Sequence, residues 1–153
     1  DAVMARDRQN GAPEALNISA PLYQQMIEHV RSVAPIEGVG LIAFSGSRAV
    51  KIYRGTNTEQ SPTRYNMDPA EVVAALNEID RQGWRLGAIF HSHPRSEATP
   101  SPTDLRHAYY PDALMVIISL LTDPPTVRAF RVDGEVREVP VRVLPEEGTA
   151  ARA

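Results

Sequence analysis

Leu86-Gly87-Ala88-Ile89-Phe90-His91-Ser92-His93 is the stretch on which the reading of this chain turns. Its first five residues are apolar without the every-second-residue alternation of a half-exposed strand, so Leu86 to Phe90 reads as a strand buried on both faces. Such a strand needs layers above and below it. His91 then stands at the strand's end. In extended backbone alternate side chains point the same way, so the imidazoles of His91 and His93 can converge on one ion. A His-x-His pair taken alone fits an exposed loop equally well; its place directly after a buried strand favours a built site.

Upstream, Ser19 caps a helix whose Leu22, Met26, Ile27, Val30 and Val33 recur at helical spacing, with His29 on its polar, solvated side and Pro35 as its stop. Gly38 to Phe44 is a short apolar run closed by Ser45-Gly46-Ser47, and Val50 to Tyr53 is its hairpin partner. A polar stretch from Asn57 leads to Asp68-Pro69, which opens a second helix buried through Val72, Val73, Leu76 and Ile79 and ended by Gly83. Trp84 is expected as a core anchor. Downstream come a short helix from Pro102 to about Tyr109, a second central strand over Leu114 to Leu121, and the turn Asp123-Pro124-Pro125. Val127 to Val132 and Val136 to Val143 form a hairpin about Asp133-Gly134, and Pro140 marks the last strand as an edge. The order mixes helices and strands without strict alternation, which is the pattern of an α+β domain.

The chain has 153 residues, 42% hydrophobic and 23% charged, enough for one core and too few for two domains. Residues 1–15 carry no period and read as a disordered or added N-terminus, with Met4 suggesting that Asp1 to Val3 are extraneous; 144–153 read as a flexible tail, leaving 16–143 as the folded unit. A net charge of −3 argues against a polyanion partner, so no nucleic acid is expected. No apolar run is long enough to span a bilayer and no signal peptide is evident, from which a cytoplasmic protein with no membrane association is expected. Cysteine is absent, which removes disulfides, thiol nucleophiles and Cys-ligated metals. Any metal must be held by histidine and carboxylate.

Eight residues after His93 stands Ser101-Pro102-Thr103-Asp104. It reads as a helix start, Ser at the N-cap, Pro at the first helical position and an acid at the third. The same turn can bring the Asp104 carboxylate, with the Ser101 hydroxyl beside it, to the two imidazoles. Two His and an Asp with water in the fourth position make an open, catalytic type of zinc site. Such a site needs a base, and Glu37 is the candidate: it is the only acid between Glu28 and Glu59 and begins an apolar strand, although a solvated strand-edge Glu is the competing reading. Asn57, Arg64 and Tyr65 lie on a loop that either borders a substrate channel or simply meets water. Arg95, Ser96 and Glu97 either gate the cleft or face solvent. His107 is read as packing or surface.

Taken together, Glu37, then His91-Ser92-His93-Pro94, seven residues, and Ser101-Pro102-Thr103-Asp104 resemble the JAMM (MPN+) motif of zinc metallopeptidases. The likeness extends through Asn57, Ser61-Pro62, Arg64-Tyr65, Met67-Asp68-Pro69, Glu78-Ile79-Asp80 and Tyr110-Pro111-Asp112-Ala113 to short bacterial members that include the Mec-type peptidases, which trim sulfur-carrier proteins. One departure is Gly38-Val39-Gly40 where many relatives carry Ala-Cys-Gly. The resemblance implies a cytidine-deaminase-like mixed sheet with flanking helices, one zinc ion on His91, His93 and Asp104, and a water activated by Glu37 as general acid and base. It further implies Ser101 as an oxyanion stabiliser and a backbone role for Ser92. The implied substrate is a ubiquitin-like or sulfur-carrier protein with a C-terminal Gly-Gly, cut by a monomer or homodimer. A non-catalytic MPN-type scaffold is the alternative, and a metallo-β-lactamase is disfavoured because Arg95-Ser96 stand where its Asp-His pair would fall.

Overall fold

The structure, a computed structural model, describes residues 11–145. The helices form where capping and spacing place them. Ser19 Oγ accepts from the Leu22 N–H and opens α1 (Ala20–Val33); Asp68 accepts from the Ala70 N–H and opens α2 (Pro69–Arg81), with Pro69 at the first turn. After α2 the chain turns at Gly83, whose φ of +72° is a conformation that only glycine takes without strain. α3 (Pro102–Arg106) is one short turn beyond the Ser101 cap and ends three residues earlier than predicted, with His107 as its C-cap.

Among the described residues there are also eight strands: β1 (Leu16–Ser19), β2 (Val39–Ser45), β3 (Arg48–Gly55), β4 (Arg85–His93), β5 (Leu114–Ser119), β6 (Thr126–Val132), β7 (Val136–Val139) and β8 (Val141–Leu144). Six of them form one mixed sheet in the order β3-β2-β4-β5-β6-β7, antiparallel throughout except for the parallel pair β4–β5. The two apolar runs without alternation, in β4 and β5, lie side by side at its centre. Pro140 does mark a strand end, but it splits the predicted last strand: β7 stays on the sheet edge while β8 crosses to pair in parallel with β1. A proline has no N–H to continue the ladder.

A bulge in β4 decides which face carries the histidines. Ile42 pairs with Ala88 and Ala43 with Leu86, so Gly87 is left over and the side-chain alternation reverses across it. Ala88 and Phe90 consequently face α1, in the main core with Met26, Val30, Ile42, Phe44 and Val116. Ile89, beyond the bulge, faces α2 beside Val39, Leu41 and Ala75, and His91 and His93 follow on that same face by period two.

Further expectations change, among them Val73, which is exposed on α2, and the second central strand, which ends at Ser119 and leaves Leu121 exposed. His29 is buried, not solvated: its Nε2 donates to the carbonyls of Val39 at 3.1 Å and Gly55 at 3.0 Å, which lie opposite one another at the end of the β2–β3 ladder. Hydropathy spacing is blind to two backbone acceptors waiting over a helix. Trp84 is only half-buried and belongs to none of the apolar clusters, because it sits in the turn before β4 rather than within a strand. The fold also begins before Leu16. Ala12 packs into the main core, the Gly11 carbonyl accepts from Arg85 Nη2 at 3.0 Å, and Glu14 pairs with Arg131 and Arg137. A short extended stretch held by ion pairs leaves no periodic signal to read. Residues 1–10 and 146–153, the rest of the predicted termini, lie outside the described residues.

Gly40 is where β2 meets its neighbours most closely. A Cβ there would fall 2.3 Å from Phe90 Cζ and 2.4 Å from the Tyr53 carbonyl oxygen, and backbone cannot yield as a flexible side chain can. Gly40→Ala is expected to destabilise the fold by about 1–3 kcal/mol or more, read as a lower denaturant midpoint at unchanged m-value. A midpoint equal to wild type would contradict this packing.

Candidate active site

Glu37 stands just before β2, and the first residues of that strand are locked to the end of β4. The Gly38 N–H donates to Ser92 Oγ at 2.8 Å, and the Ser92 N–H returns a bond to the Gly38 carbonyl at 3.0 Å. Ser92 faces away from the histidines, fully buried, and acts as a clamp between the two strands. Glu37 itself is held by its backbone: its N–H donates to the Ser61 carbonyl at 2.9 Å, and its carbonyl accepts from Asn57 Nδ2 at 3.0 Å. The carboxyl is buried, and its Oε1 has no hydrogen-bond partner among the described residues.

Although predicted to follow the strand, His91 and His93 lie within it; pairing with β5 continues to His93 opposite Ser119. Both Nε2 atoms converge on Asp104 Oδ2, at 3.1 Å from His91 and 3.0 Å from His93. Only the His93 contact has hydrogen-bond alignment; both nitrogens of His91 lack a hydrogen-bond partner among the described residues although the ring is fully buried. His93 Nδ1 donates to the Glu97 carbonyl at 2.7 Å, which fixes the tautomer and leaves Nε2 to face Asp104. Asp104 arrives from α3. Its N–H donates to Ser101 Oγ at 3.0 Å, and its Oδ2 accepts the Ser101 N–H at 2.9 Å, a reciprocal capping box. The helix-start reading of Ser101-Pro102-Thr103-Asp104 and the ligand reading thus describe one turn.

The loop from Pro94 to Pro100 is tied down rather than poised to swing. Ser119 Oγ donates to the Ser96 carbonyl at 2.7 Å, Arg128 reaches the Ala98 carbonyl and Thr99, and Ala98 is buried. The side chains of Arg95, Ser96 and Glu97 are exposed, and half-buried Pro94 leads the chain out of β4.

On the opposite side, Tyr65 lies flat on His91, ring centroids 4.5 Å apart at 25°. Arg64 beside it is exposed. Asn57, on the loop that either borders a substrate channel or meets water, is buried with its amide fully engaged within the chain, Nδ2 donating to the Glu37 and Arg64 carbonyls and Oδ1 accepting from the Glu59 and Asn66 N–H groups. Tyr65 is also one wall of a cleft of about 200 Å³ floored by Val39, Leu41 and Ile89 and bounded by Met67 and Val72. His107 and Tyr109, their rings stacked, close its far side, so His107 borders the cleft and is no part of the ligand group.

Burial and charge set the protonation pattern. Burial pushes the Glu37 carboxyl up to about 8, with His93 opposing and Asp104 reinforcing the rise. Burial likewise lowers His91. For His93 burial acts downward, but the Asp104 and Glu97 hydrogen bonds prevail and raise it. Asp104, despite burial, is held well below the usual carboxylate range by His91, His93 and the Ser101 N–H. Tyr65 is raised by burial and by the neighbouring Asp104 and Glu37 carboxyls.

A divalent metal fits this arrangement. The ligand atoms of His91, His93 and Asp104 lie within 4.8 Å of one another, all three residues are buried, and the His91 nitrogens have no hydrogen-bond partner among the described residues. Two neutral imidazoles and a carboxylate suit zinc by ligand type.

Residues 19–133 match the family described as prokaryotic homologs of the JAB domain. The CysO-cysteine peptidase of Mycobacterium tuberculosis is 36% identical over 139 residues, spanning 88% of this chain and 94% of the peptidase. A Thermus thermophilus protein named "Probable TtuB-protein conjugate cleaving protease" is 39% identical over 95 residues, 61% of this chain and 63% of that one. Among solved structures, a protein from Desulfitobacterium hafniense superposes with a TM-score of 0.78 at 30% identity, over 86% of this chain and 94% of its own. The motif, the mixed sheet with flanking helices and these likenesses agree: the chain belongs to the prokaryotic JAB-domain (JAB/MPN) family.

Proposed function

We propose that this protein is a zinc-dependent hydrolase that cuts the peptide or isopeptide bond following the C-terminal Gly-Gly of a ubiquitin-like or sulfur-carrier protein. The observation that carries the reading is the convergence of His91, His93 and Asp104 on one buried point, with the unpartnered Glu37 carboxyl in the field of two of them. Relatives named as a CysO-cysteine peptidase and a TtuB-conjugate protease support the substrate class. The cleft beside Tyr65 suits an extended tail without bulky side chains next to the bond that is cut.

His91, His93 and Asp104 would hold the zinc ion, which when bound would supply Lewis acidity to the scissile carbonyl and the attacking water. Glu37 takes the proton of that water and hands it to the leaving amine. Burial holds this carboxyl near neutrality, where giving and taking a proton cost similar amounts, and a nearby dication favours its ionised, basic form. The Ser101 oxygen accepts the Asp104 N–H, which leaves its own proton free to be donated to the developing oxyanion. Tyr65 covers His91 and keeps bulk water from that ligand.

A sulfur-carrier protein extended past its Gly-Gly by one amino acid is the direct test. Cleavage after Gly-Gly should stop with a chelator and return with added zinc, and zinc-loaded protein inert on that substrate and on a ubiquitin-like isopeptide would favour a scaffold instead. Glu37→Ala should lose at least about 100-fold in kcat while still binding one zinc by elemental analysis. Wild-type turnover in that variant would remove the role given to Glu37.

Glu37 also shapes stability. It holds its proton more tightly in the folded chain than in the unfolded one, so the metal-free protein loses stability as pH rises from about 4.5 through about 8. Glu37→Gln removes that loss. Its metal-free melting temperature should match wild type near the low end of this window and exceed it by several degrees at the high end; parallel curves would mean that Glu37 ionises without penalty.

A further inference from the structure

Glu37 is aimed from behind. Its carboxyl makes no hydrogen bond among the described residues, so the direction of the side chain is set by the backbone it leaves from and the walls around it. That backbone precedes β2 and lacks ladder pairing of its own; β2 begins at Val39. Two groups from the 57–66 loop hold it instead, the Ser61 carbonyl on its N–H and the Asn57 amide on its carbonyl.

The Asn57 amide does more than this. Its second Nδ2 proton goes to the Arg64 carbonyl at 2.9 Å, and Oδ1 accepts from Glu59 at 3.0 Å and Asn66 at 3.1 Å. Arg64 and Asn66 flank Tyr65, the residue whose ring lies on His91. One buried, planar group with two donors and two acceptors therefore ties the backbone of the base to the loop that covers a metal ligand. No other side chain offers that set at this reach. Asp has the acceptors but would turn a carboxylate oxygen toward two carbonyls, and Gln adds a methylene to a side chain that is already 7% exposed.

We propose that Asn57 is the positioning residue of this site: it sets the aim of Glu37 and, through Arg64 and Asn66, the seat of Tyr65. The inference rests on the reading of Glu37 as the proton carrier. Asn57 touches no ligand of the metal group and acts only through its neighbours.

The test uses Asn57→Asp and Asn57→Ala in the full chain, alone and with Glu37→Gln. Turnover of the Gly-Gly-extended carrier protein, zinc affinity by chelator competition, and amide NMR of the metal-free protein are measured. Both variants should lose about 10- to 100-fold in kcat. KM and zinc affinity should change by less than about threefold, because the ligands ride on β4 and α3. In the Glu37→Gln background neither should reduce the residual turnover further, since a residue acting through Glu37 has nothing left to aim. Amide signals of Glu37, Ser61 and Tyr65 should move together while those of β5 stay.

Asn57→Asp keeps the two acceptor positions but loses both donor bonds, so kcat in that variant must fall, and a purely structural role would lower zinc affinity along with it. Normal kcat there, a matching fall in zinc affinity, or a full further loss on top of Glu37→Gln, would overturn the assignment. If wild-type protein cleaves nothing, the hydrolase reading fails by itself; Asn57 is then judged by the NMR and zinc measurements, and Glu37 and Tyr65 signals that do not move together would overturn it.

Discussion

Two hydrogen bonds between Gly38 and Ser92 bring together parts of the chain that lie 54 residues apart. They continue the β2–β4 ladder one step past Val39 opposite His91, to the place where Glu37 leaves the sheet and His93 ends it. Everything at the site depends on that register. A slip of one residue would turn His91 and His93 into the α1 core and set Ser92 among the ligands. The bulge at Gly87 and the close approach at Gly40 are the features that forbid such a slip, since both bring backbone and Phe rings nearer than any other residue type would permit.

The electrostatics follow from putting two carboxyls and two imidazoles where water does not reach. Asp104 meets this by collecting donors, accepting from His93 and the Ser101 N–H with the His91 ring against the same oxygen, and stays ionised. Glu37 collects none on its carboxyl and keeps a proton instead. The contrast fits the roles proposed for them: a carboxylate kept anionic by its partners suits a ligand, and one left uncommitted suits the carrying of protons. His91 and His93 divide likewise. One is buried without hydrogen-bonding partners, and the other is oriented by the Glu97 carbonyl behind it.

Much of this was legible in the sequence. The two central strands showed as apolar runs without alternation, α1 and α2 as caps followed by helical spacing, and the JAMM-type spacing picked out Glu37, His91, His93, Ser101 and Asp104 before any geometry. What escaped has physical causes in common. β4 was read as ending at Phe90 because hydropathy stops there, whereas the ladder needs only N–H and C=O groups and runs on to His93. Asn57 showed as a loop residue that borders a channel or meets water, since its four partners are backbone groups whose positions carry no residue identity. His29 was assigned to solvent for the same reason. The β1–β8 pair joins opposite ends of the fold, and nothing local in either strand announces its partner.

The His29 ring has a mechanical consequence. Antiparallel pairs open most readily at their ends, and the β2–β3 pair has one end at the Ser45 to Arg48 turn and the other at Val39 and Gly55, next to Glu37. A single ring nitrogen from α1 grips the carbonyls of both terminal residues. The open end is thereby stitched shut by a helix packed on the sheet face away from His91 and His93. Thermal fraying is pushed from the end of this hairpin beside Glu37 to the rest of it, and α1 becomes part of what keeps the proposed base still.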